Sequence, residues 1–381
     1  MKKTLLVLAT LAATAGFAQA ANVTLYGNVD TGLSYNHTKT KVDSYSKTTN
    51  GYGMESGMYG PSRFGLKGSE DLGNGYAVEF KLENGFHSDA GAFKTDGKLF
   101  DRESRVSLVT PYGTVSAGRM GALSSGAGTY DLFQAYGDVY DGGVSNLGAG
   151  FFAGTGRYDN MLTLVSPDFA GLKFYGQYSF ATSGSESPHV RDVERYWGVG
   201  ATYDNGPLAL ALVVDSVKNA KNVAFDNNDM YLVSFGGNYD FGGVKPFFAA
   251  QYGKHIASGM NLIDFNDVAS NDPETTYNDL KGYALSLGSQ FTLPCGTLSA
   301  GLYYSHTKGT VAEVDGDNNV ERYTLDKSDN YGVGFVHAYP LSKRTVIYSG
   351  LGYNYSKAKG ESDVTVKRYN TEVLFGLNHT F

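Results

Sequence analysis

Acidic and basic residues between positions 60 and 160 form the pattern of this sequence that best suggests a chemical role. Segment 121–156 carries Asp131, Asp138 and Asp141 and no Lys or Arg. A loop of one charge sign that folds against a wall of the opposite sign creates a transverse field, which orients dipolar solutes and selects ions by charge. The stretches that flank this segment carry the candidate basic wall: Arg63, Lys67, Lys81, Arg105, Arg119 and Arg157.

Patterns typical of catalysis or metal binding are missing from the sequence. It contains no Gly-x-Ser-x-Gly, no His-Glu-x-x-His, no Walker loop and no Rossmann fingerprint after a strand. The seven His are scattered, and none has a partner at metal-ligand spacing. The run 315–319 resembles the start of a calcium loop, but Val320 stands where an EF-hand needs Gly. We therefore expect no catalytic residue, no metal site and no cofactor.

Composition narrows the fold class. Charged residues make up 18% of the 381 residues, and the chain carries 50 Gly, 29 Tyr and 22 Phe. The mean hydropathy of −0.27 is too polar for a helical membrane protein. The aromatic content disfavours disorder, and Gly with Tyr and Phe disfavours helices and favours strands. We expect a large sheet that is wet on one side. The single Cys295 forms no internal disulfide.

The N-terminus predicts export. Lys2 and Lys3 precede an apolar stretch at 4–18, and Ala18-Gln19-Ala20 fits a small-x-small cleavage site. An apolar stretch of about 15 residues is too short for a comfortable membrane anchor. We predict a cleaved signal peptide at 1–20 and one domain at 21–381.

Alternation of apolar and polar residues dominates the rest of the chain. Val373, Phe375 and Leu377 share one parity, for example, so in a strand they lie on one face. An even number of such segments suits a closed up-and-down barrel. The sixteen candidate strands lie near 22–37, 61–70, 76–88, 100–110, 113–120, 157–166, 171–182, 193–205, 207–217, 228–241, 244–255, 280–293, 297–308, 328–340, 344–356 and 367–381.

Connections between these strands alternate in length. Seven short turns rich in Gly and Pro separate eight longer polar segments, which lie near 38–60, 89–99, 121–156, 183–192, 218–227, 256–279, 309–327 and 357–366. Short turns at one end and long loops at the other are typical of outer-membrane barrels. The alternation therefore favours a transmembrane barrel, with lipid outside and water within.

Strand parity gives the basic residues a direction. Arg63 and Lys67 lie opposite Phe64 and Leu66 in parity. Lys81 and Arg105 likewise alternate with apolar neighbours, and Arg157 lies opposite Tyr158 and Leu162 in parity. A charge that faces lipid near the midplane costs about 2–4 kcal/mol, so we expect these five side chains in the lumen. Arg119 shares the parity of its apolar neighbours and is placed in the wall only by its position at a strand end.

Six motifs spread over the chain resemble those of the Gram-negative general porins, in particular the trimeric β-proteobacterial and neisserial type. They are Val23-Thr24-Leu25-Tyr26-Gly27; the run 62–75, which begins Ser62-Arg63-Phe64-Gly65; Gly113-Thr114-Val115 with Gly118-Arg119; Arg157-Tyr158-Asp159-Asn160; the run 339–345; and Gly376-Leu377 with the terminal Phe381. Two features depart from the family: segment 130–141 lacks the acidic motif of enterobacterial constriction loops, and Arg105 stands where related chains often carry an aromatic residue.

The resemblance implies an all-β, sixteen-stranded antiparallel transmembrane barrel in the outer membrane, with a third extracellular loop folded inward. It implies a homotrimer with contacts at the first and last strands, and an assembly signal at Phe381. Small hydrophilic solutes and ions would diffuse through passively, with outer-membrane lipid outside and no nucleic-acid partner. Three alternatives stay open: a solute-specific channel, an outer-membrane hydrolase with a Ser/His or Asp/His site at the rim, and an adhesin or structural barrel with a plugged lumen.

Overall fold

A computed structural model describes residues 22–141, 144–145, 147–148, 150–184, 193–218, 228–257, 259–260, 275–314, 320–360 and 364–381. The predicted signal peptide at 1–20 and the calcium-like run at 315–319 lie outside these residues. Within them, no helix is long and apolar enough to cross a membrane.

Strands make up nearly all of the regular structure. One short helix, α1 (Phe133–Gly137), interrupts them. The strands are β1 (Thr24–Val42), β2 (Tyr45–Ser56), β3 (Arg63–Gly73), β4 (Tyr76–His87), β5 (Ala92–Phe93), β6 (Glu103–Thr110), β7 (Gly113–Gly121), β8 (Arg157–Val165), β9 (Leu172–Ser179), β10 (Arg195–Asn205), β11 (Leu208–Lys218), β12 (Met230–Tyr239), β13 (Val244–Ile256), β14 (Thr275–Leu293), β15 (Gly296–Val314), β16 (Val320–Pro340), β17 (Thr345–Gly360) and β18 (Thr365–Thr380).

The sheet closes on itself as a sixteen-stranded antiparallel barrel. β1 pairs with β18 in a register that sets Leu33 opposite Phe375. β2 and β3 together occupy one strand position in the barrel, because β2 pairs with the C-terminal part of β1 and β3 pairs with its N-terminal part. The two-residue β5 only extends the end of β4. Sixteen positions remain around the closed sheet, which confirms the predicted strand number.

Two faces follow from the alternation along each strand. On β1, Val29 and Leu33 are exposed, whereas Asp30 and Ser34 are buried. On β18, Phe375 is 56% exposed and its neighbour Leu374 is 1% exposed. We call the face with the exposed apolar residues the outer face and the opposite one the inner face. Lipid suits the first, and water-filled space suits the second.

One predicted loop is wrong. Segment 38–60 is mostly a β-hairpin, because β1 continues to Val42 and β2 fills Tyr45–Ser56. Most β2 side chains are exposed. Both faces of the hairpin carry Thr, Lys, Asn and Gly, so its sequence shows no alternation of apolar and polar residues. β15 and β16 likewise extend into the predicted loop 309–327.

Asp30 forms hydrogen bonds on the inner face of the barrel, near the seam where β1 pairs with β18. Its carboxylate accepts hydrogen bonds from the main-chain N–H groups of Met58 and Gly60, both at 3.1 Å. It also accepts from the Tyr348 hydroxyl at 2.7 Å and the Asn378 amide at 2.9 Å. One carboxylate therefore connects β1, the 57–62 segment, β17 and β18.

Replacing Asp30 with Ala is expected to lower the free energy of unfolding by at least about 3 kcal/mol, because four donors lose a charged acceptor. Urea unfolding in lipid vesicles measures the change. Asp43→Asn, in an exposed turn with φ +47°, is the matched control and should leave the midpoint in place. Equal stability of the two variants would refute the role of Asp30.

Candidate pore constriction

Basic side chains form a continuous group on the inner face of β3, β4 and β6. Lys67 lies directly opposite Lys81, and Lys81 lies directly opposite Arg105. Arg63, on the same face of β3, and Arg102, just before β6, complete the group, which we call the basic ladder. Like charges in direct opposition destabilise a sheet, so this arrangement requires carboxylates nearby.

Two buried glutamates supply them. Glu83 is 3% exposed; it accepts from the Arg102 guanidinium at 2.7 Å and lies 3.6 Å from the nitrogens of Arg63 and Lys81. Glu103 is fully buried and pairs with the Lys81 ammonium, and its Oε1 lies 4.0 Å from Arg105 Nε. Both glutamates share the strand parity of the basic residues, so the sequence contained the signal that would have identified them.

The start of segment 121–156 is attached to this ladder. Thr129 donates to Glu103 through its main-chain N–H (2.9 Å) and its hydroxyl (3.0 Å). The Arg105 guanidinium lies 5.5 Å from the centre of the Tyr130 ring. The aromatic partner of Arg105 therefore comes from the loop rather than from the strand.

The segment then follows the inner face of the distant wall. Gly137, at the end of α1, contacts Gly236 so closely that a Cβ on Gly236 would lie 2.8 Å from the Gly137 Cα. Further along, Val139 packs on Gly288 of β14, and Ser145 donates to Glu372 of β18 at 2.6 Å. The described contacts of the segment therefore run from the end of β7 past β12 and β14 to β18.

The three predicted acidic residues have different surroundings. Asp131 is 8% exposed and accepts from the N–H of Ala135 at 3.1 Å, at the start of α1. Asp138 is 2% exposed, and the Tyr303 hydroxyl donates to it at 2.5 Å. Asp141 lies within electrostatic reach of both Asp131 and Arg63. The structure thus brings Asp131 and Asp141 together and holds Asp138 against β15.

Asp131 and Asp141 bind protons more tightly than ordinary carboxylates. Burial raises the pKa of Asp131 well above its usual value, and the negative charge of Asp141 raises it further. Loss of hydration beside the protein also raises the pKa of Asp141, whose side chain remains exposed, although its hydrogen bond with Asp131 and the charge of Arg63 act in the opposite direction. Two carboxylates this close do not both ionise easily.

Arg119 and Arg157 lie at the ends of β7 and β8, and Arg157 is within electrostatic reach of Arg102 and Glu83 of the ladder region. Arg119 donates to Asp159 at 2.6 Å and to the main-chain oxygen of Asp101 at 2.6 Å. It lines a cavity of about 520 Å³ that also borders the outer residues Leu162 and Phe180.

The premise that placed Arg157 in the lumen is wrong. Tyr158 and Leu162 do not share a face, because the register shifts between Gly118 and Met120 and Asn160 adopts a φ of +51°. Tyr158 packs on the fully buried Tyr196, with ring centres 5.0 Å apart, whereas Leu162 is exposed. The guanidinium Nε of Arg157 is buried without a hydrogen-bond acceptor in the described structure.

Phe381 completes the barrel seam. Its main chain exchanges two 3.1 Å hydrogen bonds with Gly27, and its ring occupies the space that a side chain at Gly27 would need.

Comparisons with known proteins agree with this barrel. The family model described as Gram-negative porin matches residues 7–359. An outer membrane porin protein of Bordetella pertussis is 39% identical over 265 residues, which cover 64% of this chain and 68% of that protein. Outer membrane porin protein 32 of Delftia acidovorans is 30% identical over the full length of both chains. The solved anion-selective porin from Comamonas acidovorans has a similar fold, with a TM-score of 0.66 and 24% identity over 95% of this chain and 100% of that one.

The molecule is an outer-membrane β-barrel channel. It belongs to the Gram-negative porin family, whose members let solutes diffuse passively. The predicted family, the sixteen-stranded antiparallel all-β barrel, the function as a channel for passive diffusion and the location in the outer membrane are confirmed.

Gly236→Val tests how the segment is docked. A side chain at this position meets the Gly137 Cα and the main-chain oxygen of Phe248. Relieving such overpacking costs about 1–3 kcal/mol, and the nearest free space is the lumen. Displacement of α1 into the lumen should lower the single-channel conductance in planar bilayers. Gly176→Val, where a Cβ meets no atom within 4 Å, should retain the parental conductance; equal losses in both variants would contradict this docking.

Proposed function

We propose that solutes and ions cross the barrel between the basic ladder and segment 121–156, and that this constriction favours anions. The observation that carries the proposal is the charge of the ladder. The ladder has five cationic side chains and two carboxylates. Arg63, Lys81, Arg102 and Arg105 pair with Glu83 or Glu103, and Lys67 lies opposite Lys81. Three positive charges remain in excess, in a narrow space where fields are strong.

The opposite side of the constriction is weaker in charge than the sequence alone indicates. The Asp138 carboxylate accepts a hydrogen bond from the Tyr303 hydroxyl on β15. The pKa values of Asp131 and Asp141 are raised, so both carboxyl groups stay protonated to a higher pH than ordinary carboxyl groups do. Segment 121–156 therefore supplies orientation and narrowing, and the ladder supplies the dominant sign.

The chain is proposed to act as a homotrimer and to catalyse no reaction. Apolar outer residues on the first and last strands, such as Leu33 (57% exposed) and Phe375 (56% exposed), offer a surface for a second copy. The family resemblance supports the same strands as the contact and supports Phe381 as the assembly signal.

The structure contains the Asp/His contacts that the hydrolase alternative requires. His255 lies 2.6 Å from Asp279, and His306 lies 2.8 Å from Asp329. A hydrolase also needs a nucleophile bonded to the imidazole, and in the described part of the chain no Ser hydroxyl bonds to either ring. The charge pattern of the lumen therefore favours the channel.

Two variants with opposite effects test the selectivity. Arg105→Gln removes a positive charge from the ladder and should lower the anion-to-cation permeability ratio several-fold. Glu103→Gln removes a negative charge and should raise that ratio. Reversal potentials under a salt gradient in planar bilayers measure both. Lys343→Gln, in the turn between β16 and β17, is the control that should change nothing. Shifts of the same sign in both variants would reject the ladder as the filter.

Selectivity should also depend on pH. Asp131 and Asp141 have raised pKa values, so as the pH falls they lose negative charge at a higher pH than ordinary carboxylates do. The preference for anions should therefore grow as the pH is lowered through the raised pKa values of these two groups, before ordinary carboxylates take up protons. Asp131→Asn/Asp141→Asn keeps the polar cap of α1 but should flatten this dependence. An unchanged pH profile in the double variant would exclude both carboxylates.

A further inference from the structure

A second loop enters the lumen directly after β13. The strand ends at Ile256, which is fully buried, and Met260 is fully buried as well. The main-chain oxygen of Met260 accepts hydrogen bonds from the Ser305 hydroxyl at 3.0 Å and from the Asn330 amide at 2.9 Å. These two donors lie on the inner face of β15 and β16. The beginning of a loop that the sequence predicts as polar therefore lies against the lumen wall.

This loop contacts the limb of the constriction segment that returns to β8. Gly259 forms an antiparallel bridge with Ala153 of that limb. Beside the bridge, the N–H of Met260 donates to the main-chain oxygen of Phe152 at 3.3 Å. Two loops from different parts of the chain are thus joined by main-chain contacts inside the barrel. We call Gly259 and Met260 the clamp.

The fit between the clamp and the return limb is close. A Cβ on Gly259 would meet the Phe152 oxygen and would lie 2.7 Å from the Ala153 Cα, and the φ of Gly259 is +93°. The N–H of Ala153 donates to the Gln251 side chain of β13 at 2.6 Å. Phe152 in turn packs edge-on against Phe133 of α1, with ring centres 4.9 Å apart. The clamp therefore acts on the return limb directly and on α1 through one aromatic contact.

A polar patch of the wall surrounds the atoms that bind the clamp. It consists of Ser305, Thr307, Ser328 and Asn330, all fully buried, and we call it the polar seat. The register sets Ser305 opposite Asn330 and Thr307 opposite Ser328. Hydroxyl and amide side chains are typical of a barrel wall that faces water. Thr307 Oγ1 and Asn330 Oδ1 are buried without a hydrogen-bond partner in the part of the chain that the structure describes.

This shortage of partners makes the seated clamp easier to release. A buried polar atom without a partner is unfavourable, and water satisfies it once the site opens. Departure of the clamp costs the two hydrogen bonds to the Met260 oxygen and returns hydration to Thr307 and Asn330. The two states of the clamp are therefore closer in free energy than a fully satisfied contact would allow.

We propose that Gly259 and Met260 are positioning residues for the constriction, and that their release from the polar seat produces brief narrow states of the channel. The seated clamp holds the return limb of segment 121–156 on the wall. When the clamp leaves, Phe152 and Ala153 lose main-chain partners, and the limb moves into the lumen beside it. This inference rests on the proposed function, because it concerns the width of the same passage.

Single-channel recording of the full barrel in planar bilayers measures the frequency of brief closures. Gly259→Val sets a branched side chain against the main chain of Phe152 and Ala153, so closures should become about tenfold more frequent or more. Gly91→Val is the matched control, because Gly91 also has a positive φ (+69°) and a Cβ there meets no atom within 4 Å. The control should close at the parental frequency. Equal increases in both variants overturn the clamp.

Two variants of the polar seat should act in opposite directions. Thr307→Val removes the hydroxyl that lacks a partner and keeps the shape of the side chain, so closures should become several-fold rarer. Asn330→Ala removes a donor to the Met260 oxygen and should make them more frequent. General damage to the wall would raise the frequency in both. A rise in Thr307→Val overturns the role of the polar seat.

Thiol labelling measures the opening of the seat directly. Cys295 is exposed, so it is first replaced by Ser. In C295S/T307C a small hydrophilic thiol reagent should react slowly, and the addition of Gly259→Val should speed the reaction several-fold. Equal labelling rates with and without Gly259→Val overturn the release of the clamp. Resistance of each barrel to SDS verifies that it is folded.

Reversal potentials of the same channels separate this inference from the proposed function. The basic ladder is untouched in all of these variants, so the preference for anions should stay parental. An unchanged closing frequency in Gly259→Val together with the parental preference overturns the clamp and leaves the proposed passage intact. A parent channel without a preference for anions contradicts the proposed selectivity, whereas the opposite effects of the two seat variants still support the clamp.

Discussion

Closure of the sheet is the constraint on which the rest of the structure depends. In hydrocarbon, each unpaired main-chain N–H or C=O costs several kcal/mol, so a sheet in a membrane must not have a free edge. Here the first and last strands satisfy each other from Asn28 opposite Thr380 to Val42 opposite Val366. Asp30 strengthens this seam through side-chain hydrogen bonds to strands β17 and β18. Phe381 strengthens it through main-chain hydrogen bonds to β1. The lumen, its two walls and the outer surface all exist because this seam is closed.

Most of the fold could be predicted from the sequence because lipid imposes a strict two-residue period. Where both faces of a strand meet water, the two-residue period disappears, so the sequence predicts a loop where β1 and β2 form a hairpin. A single irregularity has a similar effect: the φ of +51° at Asn160 reverses the parity on which the direction of Arg157 depended. Alternation therefore predicts strands well inside the membrane and poorly at their ends.

The site was only partly predictable, for a different reason. Arg63, Lys67, Lys81 and Arg105 of the ladder follow from strand parity, and so do Glu83 and Glu103, whose charges matter as much. Arg102 precedes β6, so parity does not identify it. Strand parity does not predict which strands face each other across the lumen. Asp138 contacts Tyr303, which is 165 residues away in the sequence. Whether a loop carboxylate faces the pore or the wall depends on such distant contacts, and these emerge only from the folded barrel.

The docking of segment 121–156 also imposes an order of assembly. Leu147 packs on Gly334, Gly350 and Gly352, and Ser145 donates to Glu372. All four partners belong to the last three strands, so the segment has no complete binding surface until β16, β17 and β18 have joined the sheet. A barrel still waiting for its C-terminal strands therefore has a wider passage than the finished one. The narrowing of the channel therefore depends on the same three strands that complete the wall of the barrel.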